Sequence, residues 1–196
     1  MYSLAMEKWV RLQERINAAN ALYEEGYCAE AMWYFKLIWK EFQIQFSSFE
    51  RRQQLEGEFQ EDMMVLLDRI YDELDEKENE QEMLNFCQSI CRLFMPNEIW
   101  LGEYACCVGR ILQNQGRSEE CDDWFQMWQQ KMPKMPMFTA NWALCLQERG
   151  EEDKAAWLLD QTMLKFKICN HQTLEFYLLA WLIYIKMEKS VQRCKR

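Results

Sequence analysis

The sequence predicts an all-α protein built of stacked helical hairpins, and three observations carry that expectation. Apolar residues recur at three- and four-residue steps, the spacing of one helical face, as in Ala18, Ala21 and Leu22 and again in Ala31, Phe35, Ile38 and Trp39. Strict alternation over strand lengths is scarce. Only six Gly and three Pro punctuate 196 residues; Gly26, Gly116 and Gly150 each fall between two helical runs, and the last two are 34 residues apart, a period that signals stacked hairpins. A composition of 49% apolar and 28% charged residues excludes disordered and collagen-like chains, and the length suits a single domain able to bury roughly 70% of its unfolded surface.

The first hairpin, about 5–45, turns at Gly26. A small residue, Ala19, stands seven before that glycine and another, Ala31, five after it, with bulky Phe35 four residues further on. An irregular acidic insertion follows at about 44–61, polar through Ser47, Ser48, Arg51, Arg52, Gln53 and Gln54, and it reads as an elongated helix plus a loop. The second hairpin, about 61–96, carries Met64, Leu67, Ile70 and Leu74 on one face and Leu84, Cys87, Ile90, Cys91 and Phe94 on the next; its turn near 77–80 has lost its glycine. The third, about 102–133, repeats the spacing with Gly109, Gly116, Cys121 and Phe125 and stops at Pro133, which has no N–H to continue a helix. In the fourth, about 136–168, Ala143, Gly150, Ala155 and Leu159 hold the same places. Residues 171–189 form a last helix, expected to cap the stack. Leu174, Phe176, Leu178, Leu179, Trp181, Leu182 and Ile185 put apolar groups all round it, so it is either wedged between two layers or exposes a patch that another chain covers.

Those positions have a physical reason. Antiparallel helices approach closely only where facing side chains are small, and the turn residue must accept a left-handed backbone. The constellation resembles the tetratricopeptide repeat (TPR), a 34-residue helix-turn-helix unit with small residues at its eighth and twentieth positions, an aromatic at the twenty-fourth and a closing proline. The resemblance covers residues 12–45, 102–135 and 136–169, and is fullest in 102–135; Arg15, Ala105 and Thr139 hold the places of the family's early Trp. It implies a right-handed α-α superhelix of TPR-like hairpins with a C-terminal capping helix. It also implies that first helices line a concave partner-binding face, which selects Asn17, Asn20 and Tyr23, then Arg69 and Asp72, then Arg110, Gln113 and Asn114, and finally Asn141 and Gln147. Amides and arginines of this kind hydrogen-bond an extended peptide backbone in either direction. Ile16 and Cys106 stand where cations grip a terminal carboxylate in one subset of the family, so that clamp is not expected.

Net charge is -9, and residues 50–82 alone hold 13 acids and four bases, while the rest of the chain carries 19 of each sign. The acidity is thus one local feature. No Lys/Arg stripe offers a counterion-releasing surface, and nucleic acid is not an expected partner. The N-terminus lacks a signal-peptide core, and the longest apolar run, 174–187, is shorter than the roughly 20 residues that cross a bilayer, so neither export nor a membrane partner is expected. Nine Cys form no CxxC and His171 is the lone imidazole; the cysteines read as small buried hydrophobes in a reducing cytosol, with no metal site. No nucleotide-binding or zinc-protease motif occurs, and His171 beside Asn170 reads as a capping or surface residue, so no catalytic residue or cofactor is assigned.

Trp124, Trp128, Trp142 and Trp157 fall where inter-helix packing would place them, and Met127, Met132, Met135 and Met137 gather round Pro133 and Pro136 at a hairpin junction. The expected function is a cytoplasmic, non-enzymatic module that binds a peptide segment or helix of another protein in a concave groove. Alternative readings are a self-associating structural protein that forms a homodimer through its apolar C-terminal helix or its acidic insertion, a small TPR-type chaperone or regulator, and an enzyme or metal-dependent redox protein built on the cysteines.

Overall fold

A computed structural model describes residues 4–45, 58–76, 78–94, 101–168 and 170–194. Among them there is no strand, and nine helices follow in order: α1 (Leu4–Glu24), α2 (Cys28–Gln45), α3 (Glu58–Glu76), α4 (Glu80–Leu93), α5 (Leu101–Asn114), α6 (Ser118–Lys131), α7 (Met137–Glu148), α8 (Glu152–Met163) and α9 (His171–Cys194). The chain divides into two compact units, residues 1–86 and 87–196, with the division inside α4. The insertion between hairpins begins as the end of α2, and α3 starts at Glu58, three residues before the expected hairpin; residues 46–57, which hold most of the insertion, lie outside the described residues.

The turns show why the chain breaks where it does. At Gly26, Gly116 and Gly150 the backbone takes φ of 91, 71 and 78°. Each glycine N–H bonds the carbonyl three residues back (Tyr23, Gln113, Gln147), and the next N–H bonds the carbonyl five back (Leu22, Leu112, Leu146), at 2.9–3.1 Å. That pair of bonds is the Schellman end of a helix, which the left-handed residue makes reachable. The carbonyl after each glycine then accepts the first bond of the next helix, from Ala31, Cys121 and Ala155. The turn without a glycine repeats part of this plan: Glu78 takes φ 51°, its N–H bonds the Asp75 carbonyl three residues back, and Met83 N–H bonds Asn79.

In the first unit α1 packs on α2, and α3 packs on both. Ile16, Ala31, Phe35, Ile38 and Phe42 are fully buried there, with Trp39 stacked on Phe42 at 5.6 Å. The buried stripe of α3 is Met63, Leu66, Leu67, Ile70 and Leu74. Met64, expected on that face, is only half-buried, so the stripe sits one residue earlier at its N-terminal end.

In the second unit α7 is central, packing on α5, α6, α8 and α9. The small residues expected at close helix contacts, Ala143, Ala155 and Cys121, are fully buried, as are the gap-fillers Phe125 and Leu159. Gly109 is required by that packing: a Cβ there would stand 2.3 Å from Phe125 Cζ. α9 lays Phe176, Ala180, Ile183 and Met187 into a core with Ala140, Leu144 and Leu159. Each such large side chain contributes about 1.5–3 kcal/mol of burial. Asn170 caps the helix by accepting from Thr173 N–H at 2.9 Å, and Tyr177 Oη donates to Phe166 O at 2.6 Å. His171 is exposed beside Glu175, as a surface residue. α9 is not wedged between two layers: one face is buried, and Leu174, Leu178, Trp181 and Leu182 on the other are exposed. No helix among the described residues is long and apolar enough to cross a membrane.

Candidate functional site

The residues selected for a partner face fall into two sets, one per unit. In the first unit, Asn20, Tyr23 and Arg69 come together. Arg69 Nη1 donates to Asn20 Oδ1 at 2.7 Å, and its guanidinium lies 4.2 Å from the centre of the Tyr23 ring and 5.4 Å from that of the buried Phe35. This links α3 to α1 and α2 through a hydrogen bond and a cation–π contact. Asn17, exposed one turn earlier on α1, accepts a bond from Gln13, and Asp72 is exposed one turn after Arg69.

In the second unit the set occupies α5 and α7. Arg110 pairs with Glu148 at 3.9 Å, Gln113 Oε1 accepts from Arg149 Nη1 at 3.3 Å, and Asn141 Nδ2 donates to Met137 O at 3.0 Å. Asn114 is exposed at the end of α5. Gln147 differs from its neighbours, because its Oε1 is buried and accepts no hydrogen bond. A buried acceptor left in that state is costly unless a donor reaches it.

A cleft of about 460 Å³ opens elsewhere in this unit, between α6, the turn that follows it, α7 and α8. None of the ten selected residues lines it. Its floor is the buried Met132, Pro136, Thr139 and Thr162, and its rim the exposed Gln126, Gln130, Pro133, Trp157 and Lys165. Gln129 and Gln161 stand between them, and Gln129 Nε2 donates to Thr139 Oγ1 at 2.7 Å. The one titratable side chain of the lining is Lys165, so proton transfer has little to work with here, whereas amides, hydroxyls and apolar walls supply a binding surface.

The tryptophans divide between core and surface. Trp128 is buried, and Trp124 donates to Ala105 O at 2.8 Å across to α5. Trp142 donates to Asp122 Oδ1 at 2.7 Å. Trp157, expected in the core, is 62% exposed at the cleft rim. It lies two residues from each of the buried Ala155 and Leu159, which puts it on the opposite side of α8. The methionines near Pro133 and Pro136 were the sequence's pointer to this junction, and Met132 and Met135 do line the cleft. The glutamines were legible only as a polar stripe, Gln126, Gln129 and Gln130, at helical spacing.

Among the described cysteines, Cys28 is exposed, three buried thiols are raised, and the hydrogen bond with Cys145 lowers Cys121. Burial pushes the Cys91 thiol up to about 12. Cys87 is raised by its hydrogen bond to Cys107 and by burial, and Cys145 by its hydrogen bond to Cys121 and by burial. Among the described residues, no group of three or more His, Cys, Asp or Glu could hold a metal ion. No protein-family model, curated protein or solved structure matches the chain.

Proposed function

We propose that the chain is a non-enzymatic protein-binding module of TPR-like hairpins, stacked as a right-handed superhelix, that holds an extended peptide segment of a partner protein in the cleft between α6, α7 and α8. The observation that carries this reading is the cleft's lining, with apolar walls from Met132, Pro133, Pro136 and Trp157 and amides from Gln126, Gln129, Gln130 and Gln161. Apolar walls take one or two side chains, and a primary amide donates and accepts at once, which matches alternating peptide N–H and C=O groups. The recurrent turn bonding at Gly26, Gly116 and Gly150 supports the repeat reading. Buried Cys87, Cys121 and Cys145, used as packing groups, suit a reducing cytosol.

Panning a random twelve-residue peptide library against the folded chain tests the proposal. Enriched peptides are expected to bind the wild type at least tenfold more tightly than Trp157→Ser or Gln161→Ala variants, with melting temperatures unchanged. Absence of enrichment, or peptides indifferent to both substitutions, overturns it.

A further inference from the structure

The face of α9 that points away from α7 and α8 is apolar over more than two turns. Leu174, Leu178, Trp181 and Leu182 are each 42–61% exposed, and Ile185 continues the stripe at half-burial. Their steps of four, three, one and three residues keep all five within about 100° of arc. Together they expose on the order of 400 Å² of apolar side chain, a patch large for a monomer.

We propose that this face joins two copies of the chain, with the α9 helices antiparallel about a two-fold axis that passes beside Trp181. The flanking charges identify both the occupant and the orientation. Glu175 and Lys186, both exposed, are eleven residues apart, which is three turns plus about 20°, so they lie on the same flank of the stripe. A two-fold axis perpendicular to antiparallel helices brings each flank against the same flank of the second copy. Glu175 of one copy then faces Lys186 of the other, and the pair is made twice. The midpoint of the two residues falls between Ala180 and Trp181, which also centres the apolar stripe on the axis: Leu178 meets Leu182 of the second copy, and Leu174 reaches its Ile185. On its own helix Glu175 Oε1 lies 3.1 Å from Nδ1 of the exposed His171, one turn nearer the N-terminus. Two patches of this size fall short of the roughly 800 Å² per partner of a standard interface, so the dimer is concentration-dependent, with a Kd in the micromolar range. This proposal does not rest on the cleft, and its test uses no peptide.

Sedimentation equilibrium of the full chain from about 5 to 500 μM reads the association directly. A monomer–dimer equilibrium is expected for the wild type. The doubly substituted Leu178→Glu/Trp181→Glu chain should remain monomeric throughout with unchanged helical circular dichroism, since both side chains are more than half exposed. Glu175→Lys and Lys186→Glu should each weaken the dimer about tenfold, and the two together should restore it to within about threefold of wild type. A parallel pair would set Lys186 against Glu188 instead, and the charge-swapped chain would stay weak. A wild type that is monomeric at the highest concentration, a dimer untouched by the Leu178/Trp181 substitutions, or a charge swap without restoration each overturns the proposal.

Discussion

The guanidinium of Arg149 closes on Asp122 across two hairpins, with Nη2 2.8 Å from Oδ1 and 3.0 Å from Oδ2. Trp142 Nε1 donates to the same Oδ1 at 2.7 Å, Arg149 Nη1 reaches Ser118 O at 3.2 Å, and Glu151 lies 2.9 Å from Nε. Arg149 is the residue that ends α7 and Asp122 stands on α6, so one carboxylate ties together two of the helices that line the cleft.

Removing that carboxylate should therefore cost more than a surface ion pair. Arg149's side chain is 11% exposed and Asp122's 35%, so Asp122→Ala leaves a largely buried cation and an indole N–H with one acceptor fewer. A loss of about 2 kcal/mol is expected in urea unfolding, below the roughly 3–5 kcal/mol of a fully buried pair because water reaches the aspartate. A loss under about 0.5 kcal/mol would mean that the pair is an ordinary surface contact.

The glycines separate into two physical kinds, and substitution distinguishes them. Gly109→Ala forces a methyl into the fully buried Phe125 ring, so an overpacking cost of about 2–3 kcal/mol is expected, relieved in part by Phe125→Leu. Around Gly116 nothing lies within 4 Å of the added Cβ; its cost, about 1 kcal/mol, is purely the left-handed backbone at φ 71°. By the same reasoning Glu78→Gly should stabilise the chain by about 0.5 kcal/mol, since Glu78 carries φ 51° with a side chain. Equal effects of Gly109→Ala and Gly116→Ala in thermal unfolding would contradict the assignment of one to sterics and the other to backbone.

Those glycines were also the most legible part of the sequence, because a left-handed turn and a close helix contact are demands of local backbone chemistry. The stripe of α3 was harder to phase. Residues 63–67 are five consecutive apolar residues, so several faces fit the same letters and tertiary contact chose the one through Met63 and Leu66. The contacts made by the residues selected for a partner face were not legible: Gln113 meets Arg149 from 36 positions away, and no local pattern announces that. The cleft was least visible, since its volume depends on α8 standing away from the turn at Pro133 and Pro136, which is a property of packing between hairpins.

The thiols give a prediction that bears on the remaining redox reading. With the Cys91 thiol pushed to about 12 by burial, only about one molecule in ten thousand carries the nucleophilic thiolate at pH 8. Iodoacetamide labelling followed by peptide mapping should modify the exposed Cys28 readily and reach Cys87, Cys91 and Cys145 only after urea is added. The same raised values set a direction for stability. The native chain holds these protons while the unfolded chain releases them near pH 9, so the stabilisation is complete below that pH and fades as pH climbs toward 12. Urea midpoints should accordingly fall between pH 8 and pH 10.5, and Cys91→Ala should flatten that fall even though it lowers stability at pH 7. Rapid native labelling of Cys91, or a midpoint that rises with pH in this window, would show a thiol accessible and ionised, which is the property a cysteine-based redox activity requires.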